Sequence, residues 1–216
     1  MAQVPTGSTF HVATAFGAVK PITGISNAAE AVVSCATHDY IAGDIVEITS
    51  GWGRLNLRVF RVKSVVAGVS FVLEGADTSN ANFFGAGGGV GSVRKIATFT
   101  QILTVMNPAS SGGDPKTVNY KFIESDVEFS INDGFSATGY TVDLDADSIG
   151  QAGYNALKNL TDVQTNTVLK IVTRSGSLQF IPCTVALNEA VQMADGQINK
   201  VKASFNGNNR ITRYAA

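Results

Sequence analysis

The chain has 216 residues, a formal net charge of −1, 44% hydrophobic residues and only 15% charged ones. That length carries one large domain or two small ones. So balanced a charge excludes electrostatic recruitment of nucleic acid or an anionic membrane. A charged fraction below the ~25% usual for soluble domains makes self-association a simple way to cover surface.

No stretch reaches the ~18–20 consecutive apolar residues of a membrane-crossing helix. The N-terminal Met1-Ala2-Gln3-Val4-Pro5 lacks the basic flank and apolar run of a secretory signal. Cys35 and Cys183 are therefore expected as reduced core residues, not as a disulfide.

Period-two segments punctuated by Gly, Ser, Thr and Asn recur along the chain, as in antiparallel β proteins. A first strand is expected at residues 9–13, with a turn near Gly17. Residues 31–35, 45–48, 59–62 and 69–73 then read as short strands of a block running from about Lys20 to Asp77. Gly43-Asp44 and Ala67-Gly68 supply turns between them. The glycine-rich residues 80–91 are expected as a flexible hinge. Strand character returns at residues 92–99 and continues towards Val105.

Residues 107–115 (Asn107, Pro108, Ala109, Ser110, Ser111, Gly112, Gly113, Asp114, Pro115) are too polar and glycine-rich to pack a core. They are expected as an exposed loop, mobile or ordered only by a partner. Strands resume at residues 118–122 and 138–144. Ser148 and Gln151 fit a capping box, and Ile149, Ala152, Gly153, Ala156, Leu157 and Leu160 recur at helical spacing behind it. Further strands are expected at residues 168–172, 178–181, 183–186 and 201–205. Runs of strands with one helix predict a mainly β sandwich or barrel with one flanking helix.

Chemical motifs fail one by one. No glycine of the 85–91 run is followed by lysine, as a phosphate loop requires, and Ser92 stands where a dinucleotide fingerprint needs its last glycine. Asp143, Asp145 and Asp147 resemble the start of a calcium loop, but Ser148 and Tyr154 occupy the positions that need glycine and glutamate. Their period of two follows from an inward face of Val142, Leu144 and Ala146. His11 and His38 lack partners at ligand spacing, and no G-x-S-x-G elbow is present. No catalytic, cofactor-binding or metal-binding residue is assigned. Trp52, between two glycines, reads as an exposed turn or a packing anchor.

Two stretches carry a resemblance. His38, Gly43-Asp44, Val46, Ile48, Gly51, Leu55-Asn56, Arg58, Phe60 and Val62 resemble a small β-module found in phage structural proteins. Its shape is similar to a β-barrel subdomain of ubiquitin-activating enzymes. From Ser92 onwards, the order of Asp143-Leu144-Asp145, a helix with Gln151, Ala156 and Leu157, then residues 168–171, Ser175-Gly176, Phe180-Ile181, Val185 and residues 197–207 resembles the major tail tube proteins of long-tailed, non-contractile, lambda-like bacteriophages. The C-terminal immunoglobulin-like domain of lambda-type relatives is not expected here, and residues 20–79 are expected to take its decorating role.

The resemblance implies residues 1–19 as the first strand of a tail tube domain, 20–79 as an inserted β-module and 80–216 as the remainder. It implies a non-enzymatic virion subunit that closes into hexameric rings stacked into a tube for genome delivery. The implied partners are further copies, the tape-measure protein, the tail tip and tail terminator proteins, and double-stranded DNA passing without specific binding. No cofactor and no membrane is implied, and assembly is expected in the host cytoplasm. Some of Asp126, Glu128, Asp133, Asp143 and Asp145 are expected to face the lumen, where negative charge repels phosphates. Residues 107–115 are expected as a ring-stacking loop. The rival expectations are a tail-terminator or completion ring, and a carbohydrate- or receptor-binding module using Trp52.

Overall fold

The structure, a computed structural model, describes residues 4–216. Residues 1–3, part of the N-terminal segment without a secretory pattern, lie outside them. Its elements are β1 (Thr9–Phe16), β2 (Lys20–Ile22), β3 (Gly24–Ile25), β4 (Val32–Ser34), β5 (Ile45–Ser50), β6 (Arg58–Val66), β7 (Ser70–Leu73) and β8 (Gly91–Ile102). There follow β9 (Val105–Ser111), β10 (Pro115–Tyr120), β11 (Phe129–Phe135), β12 (Gly139–Asp145), α1 (Ala152–Val163), β13 (Thr167–Val172), β14 (Leu178–Gln192), β15 (Lys200–Gly207) and β16 (Thr212–Tyr214). The fold is mainly β with a single α-helix among the described residues, as expected.

Every strand pair is antiparallel. The main sheet runs β3-β4-β7-β6-β5-β8-β1-β13-β14-β15-β12-β9, with β2 added on β8 and β16 on β14. β8 splices two regions. Its first half (Gly91 to Lys95) pairs with β5, and its second half (Ile96 to Ile102) pairs with β1. Only Leu103 and Thr104 separate β8 from β9, yet these two strands end a seven-strand series from β8 to β9. A two-residue link spans at most about 10 Å, so the sheet must curl until its first and last strands approach. Thr104 (φ 57°) and Asn107 (φ 47°) take left-handed backbone conformations at this bend.

The curl encloses one core. Val12 of β1, Leu144 of β12, Leu169 of β13, Ile181 of β14 and Phe205 of β15 meet there with Tyr154 and Leu157 of α1. A second core, built from Ile22 to Val93, holds Phe60, Phe71, Leu73 and Trp52. Between them, Ala13, Val59, Ile96, Val168, Phe180 and Tyr214 form a third cluster. β13 is therefore buried on both faces: Leu169 and Ile171 face the first core, Val168 the third. Each fully buried large side chain contributes about 1.5–3 kcal/mol.

The C-terminal strand fastens the regions together. The Arg61 backbone N–H donates to the Tyr214 hydroxyl at 2.8 Å, and that hydroxyl donates to the Glu74 carbonyl at 3.3 Å. The turn at Gly43 (φ 94°) is closed by Asp44, which accepts from the Ile41 N–H at 3.0 Å and pairs with Lys95 at 2.7 Å.

Three local expectations are corrected. The glycine-rich stretch is packed, not a flexible tether: Phe84 is buried and Trp52 lies against Gly88 and Gly89. Ser148 caps no α-helix. It closes a 3-10 turn by donating to the Asp145 carbonyl, and α1 starts at Ala152 behind Gln151, whose side chain makes no cap bond. Ile149 is consequently exposed, while Gly153, Tyr154 and Leu157 form the buried stripe. Finally, residues 107–111 are strand and not loop, because they find β12 as a partner: Ser111 lies opposite Gly139 and Ala109 opposite Thr141. β9 is an edge strand, where Pro108 costs no ladder bond.

Candidate assembly surfaces

β10 and β11 form a two-stranded arm separate from the main sheet, paired from Pro115 opposite Phe135 to Tyr120 opposite Phe129. Both of its faces are exposed. Val118, Phe122, Ile123, Val127, Phe129, Ile131 and Phe135 all stand in solvent, Ile123 completely. Tyr120, Phe122 and Phe129 cluster at 5.4–6.1 Å between ring centroids. A lone hairpin is marginal in water, and a contiguous apolar surface of this kind marks a site that another protein surface covers.

The arm's root is well held. Gly112 (φ 71°) and Gly113 (φ 81°) take positive φ, and a Cβ at Gly112 would run into the Ala137 carbonyl. The Ser136 N–H donates to the Asp114 carbonyl at 2.9 Å, and the Asp114 N–H donates to the Ser136 hydroxyl at 3.1 Å. Of the residues expected as a stacking loop, Asn107, Pro108, Ser110 and Ser111 thus lie on β9, while Gly112, Gly113, Asp114 and Pro115 form the arm's base. All are exposed.

The strands set the arm and a second loop at opposite ends. β12 begins at Gly139 beside Ser111 and Asn206, where the arm leaves, and ends at Asp145 beside Lys200. At that other end, β14 and β15 meet at Gln192 opposite Lys200, and residues 193–199 project beyond them. Val191, Met193 and Ile198 are exposed there.

The five carboxylates do not form one group. Asp126 and Glu128 sit at the arm's tip and Asp133 on β11. Asp143 and Asp145 lie on the outer face of β12, opposite the buried Val142 and Leu144. Asp143 accepts from Lys200 Nζ at 2.9 Å and Asn107 Nδ2 at 3.0 Å. Partial burial alone would raise its pKa. The two hydrogen bonds and the Lys200 and Lys202 charges outweigh that and hold the carboxyl below its ordinary range. Asp145 accepts the Asp147 N–H at 3.0 Å. With Asp143 opposite Lys202 and Asp145 opposite Lys200, this face is close to electrically neutral. Ser204, Asn206 and Thr141 complete it.

The chemistry-bearing residues set aside earlier are structural. Trp52 is buried and its indole N–H donates to the Gly85 carbonyl at 2.7 Å, so it offers no stacking platform to a sugar. His38 stacks on Tyr40 and packs edge-on with Phe71, and its Nε2 lies 3.2 Å from the Ser70 carbonyl. Cys35 and Cys183 are free and buried, and burial pushes the Cys183 thiol up to about 12. Among the described residues no cluster of three or more His, Cys, Asp or Glu side chains could hold a metal, and no helix is long and apolar enough to cross a membrane.

The apolar arm was missed in sequence, although a signal existed. Val127, Phe129 and Ile131 alternate with Glu128, Ser130 and Asn132 into β11.

A curled β sheet with an exposed apolar arm presents a surface of the kind that another protein covers. The chain belongs to the phage tail tube protein (TTP) family, whose match covers residues 50–216. It is thus a structural, non-enzymatic component of the phage tail, of a family that self-assembles into a tube. The match opens inside the stretch expected as an inserted module. No curated protein matches the chain.

Proposed function

We propose that this chain is the tail tube subunit of a long-tailed, non-contractile, lambda-like phage, closing into hexameric rings that stack into the conduit for genome delivery. The observation that carries this reading is the exposed apolar arm at one end of the β12 ladder, with exposed Val191, Met193 and Ile198 at the other. Two different sticky surfaces at opposite ends of one subunit make a head-to-tail contact, which extends instead of closing on itself. The free edge of β9 would be completed by a neighbouring copy within the ring, removing the unpaired strand.

The near-neutral polar face carrying Asp143, Asp145, Lys200 and Lys202 is the lumen surface in this reading, since it holds no net charge for phosphates to grip. Asp126, Glu128 and Asp133 travel with the arm, so the arm's place in the assembly decides where they face. The region of residues 20–79 decorates the tube's exterior. The tape-measure protein occupies the growing lumen in the host cytoplasm, and tip and terminator proteins close the two ends.

The test is to replace residues 116–134 by a short Gly-Ser turn. The shortened chain should keep the melting behaviour of the parent, because the arm adds nothing to any core, yet form no stacked assemblies. Normal tubes from it would remove the arm from the contact.

A further inference from the structure

A cleft of about 600 Å³ opens where β1, the β13–β14 turn and β16 approach β9 and β12. Phe10, Ile171 and Tyr140 give it apolar walls, with Phe10 and Tyr140 in ring contact at 5.9 Å. Arg174 and Arg213 stand on its rim. Both side chains are exposed, and neither makes an ion pair among the described residues. A cleft of mixed lining, with Ser8, Thr173 and Ser177 beside the apolar side chains and two exposed arginines at its rim, suits an acidic segment with an apolar anchor. Its size lies within the range of about 300–1,000 Å³ in which proteins hold ligand groups.

The same chain carries such a segment. At the tip of the arm, residues 122–129 read Phe-Ile-Glu-Ser-Asp-Val-Glu-Phe. Glu124, Asp126 and Glu128 have no cationic partner among the described residues, and Ile123 between them is wholly in solvent. One acidic tip and one basic cleft per subunit form a heterologous pair that can link neighbouring copies.

We infer that the arm tip of one copy docks in the Arg174–Arg213 cleft of a neighbouring copy, with Ile123 entering the apolar floor and the carboxylates meeting the two guanidinium groups. This rests on the tube reading above and adds to its end-to-end contact: Pro108 and Tyr140 place the cleft near the arm's own end of β12, so the joint runs between neighbouring copies beside the stacking contact. Apolar burial holds the joint, while the charges orient the encounter and choose the partner. Assembly is accordingly slower at high ionic strength.

Two full-length variants test it. One carries Glu124→Lys, Asp126→Lys and Glu128→Lys, and the other carries Arg174→Glu and Arg213→Glu. All five side chains are exposed, so both variants should melt as the parent does. Each alone is expected to need about tenfold more protein to assemble, because like charges now meet. Mixed one to one, each arm finds a cleft of opposite sign, and assembly returns to the parental range. If the parent forms tubes and both variants form them equally well, the docking is wrong and the tube reading stands. If all five changes in one chain restore assembly but the mixture does not, each arm sits in its own cleft and the inference is overturned. If the parent forms no assemblies at all, the tube reading falls, and this contact with it.

Discussion

The indole N–H of Trp52 donates to the carbonyl oxygen of Gly85 at 2.7 Å, tying a turn after β5 to the glycine-rich stretch before β8. The glycines are there to let the indole in. A Cβ at Gly88 would stand 2.6 Å from the Trp52 ring, and one at Gly89 would stand 3.0 Å from it.

Replacing this indole should therefore loosen the whole segment. Trp52→Ala removes a buried aromatic and should cost about 3–5 kcal/mol. Trp52→Phe keeps a ring and should cost less, including about 1 kcal/mol for the lost hydrogen bond. Gly88→Ala should destabilise too, through overlap with the same ring. Urea denaturation reads the stability. Faster amide exchange at residues 85–91, with α1 unchanged, reads the location.

Gly153 offers a prediction whose sign opposes helix propensity. Ala is better than Gly within a helix by about 1 kcal/mol. Here, however, a Cβ would stand 2.8 Å from the Ile102 Cα and run into the Gln101 carbonyl of β8. Gly153→Ala should then lower stability, since backbone overlap of this kind costs about 1–3 kcal/mol. A higher melting temperature for the variant would show that α1 does not lie on β8 as closely as described.

Much of this was legible beforehand, and the failures have physical causes. The β8 strand, the alternation of Val142 and Leu144 with aspartates, and the helix after them follow from local periodicity, which a sequence displays directly. The Ser148 capping box failed because the hydroxyl turned back to Asp145, a choice made by the preceding 3-10 turn. Residues 107–111 looked like loop because β9 owes its pairing to β12, about thirty positions on. The glycine stretch looked flexible because its anchors, Asn27, Ser50 and Trp52, are remote in sequence. That Asp126, Glu128 and Asp133 lie on the arm while Asp143 and Asp145 lie on β12 is set by strand pairing, and the lysines beside Asp143 arrive from β15.

The Arg61–Glu74 pair should shape the acid limb of stability. The guanidinium of Arg61 donates to both Glu74 oxygens, at 2.5 and 2.7 Å. Its hydrogen bond, assisted by its charge against a smaller burial effect, holds the Glu74 carboxyl below its usual 4.5. A carboxyl lowered in the folded state stabilises fully above its unfolded value and loses that contribution as pH falls through the folded value. Arg61→Met should cost about 1 kcal/mol near neutral pH, as partly exposed pairs do. The gap between the two melting curves should narrow from about pH 5 downwards. A gap that stays constant with pH would assign the loss to packing on Tyr214 alone.

The neutral face of β12 and β15 makes a prediction about DNA passage. Asp143→Asn with Asp145→Asn leaves Lys200 and Lys202 without their counter-charges. Virions with this tube should form at normal length but eject DNA more slowly, and salt should relieve the delay because phosphate contacts weaken with ionic strength. An ejection rate equal to the parent's at low salt would move this face off the lumen.

The central claim, that copies of this chain stack through its two ends into a tube, is tested most directly by electron microscopy of the concentrated, purified protein. The account predicts rings with a central channel, stacked into tubes of indefinite length, with density for the arm bridging adjacent copies. Closed single rings that never stack, or monomers at every concentration, would contradict it.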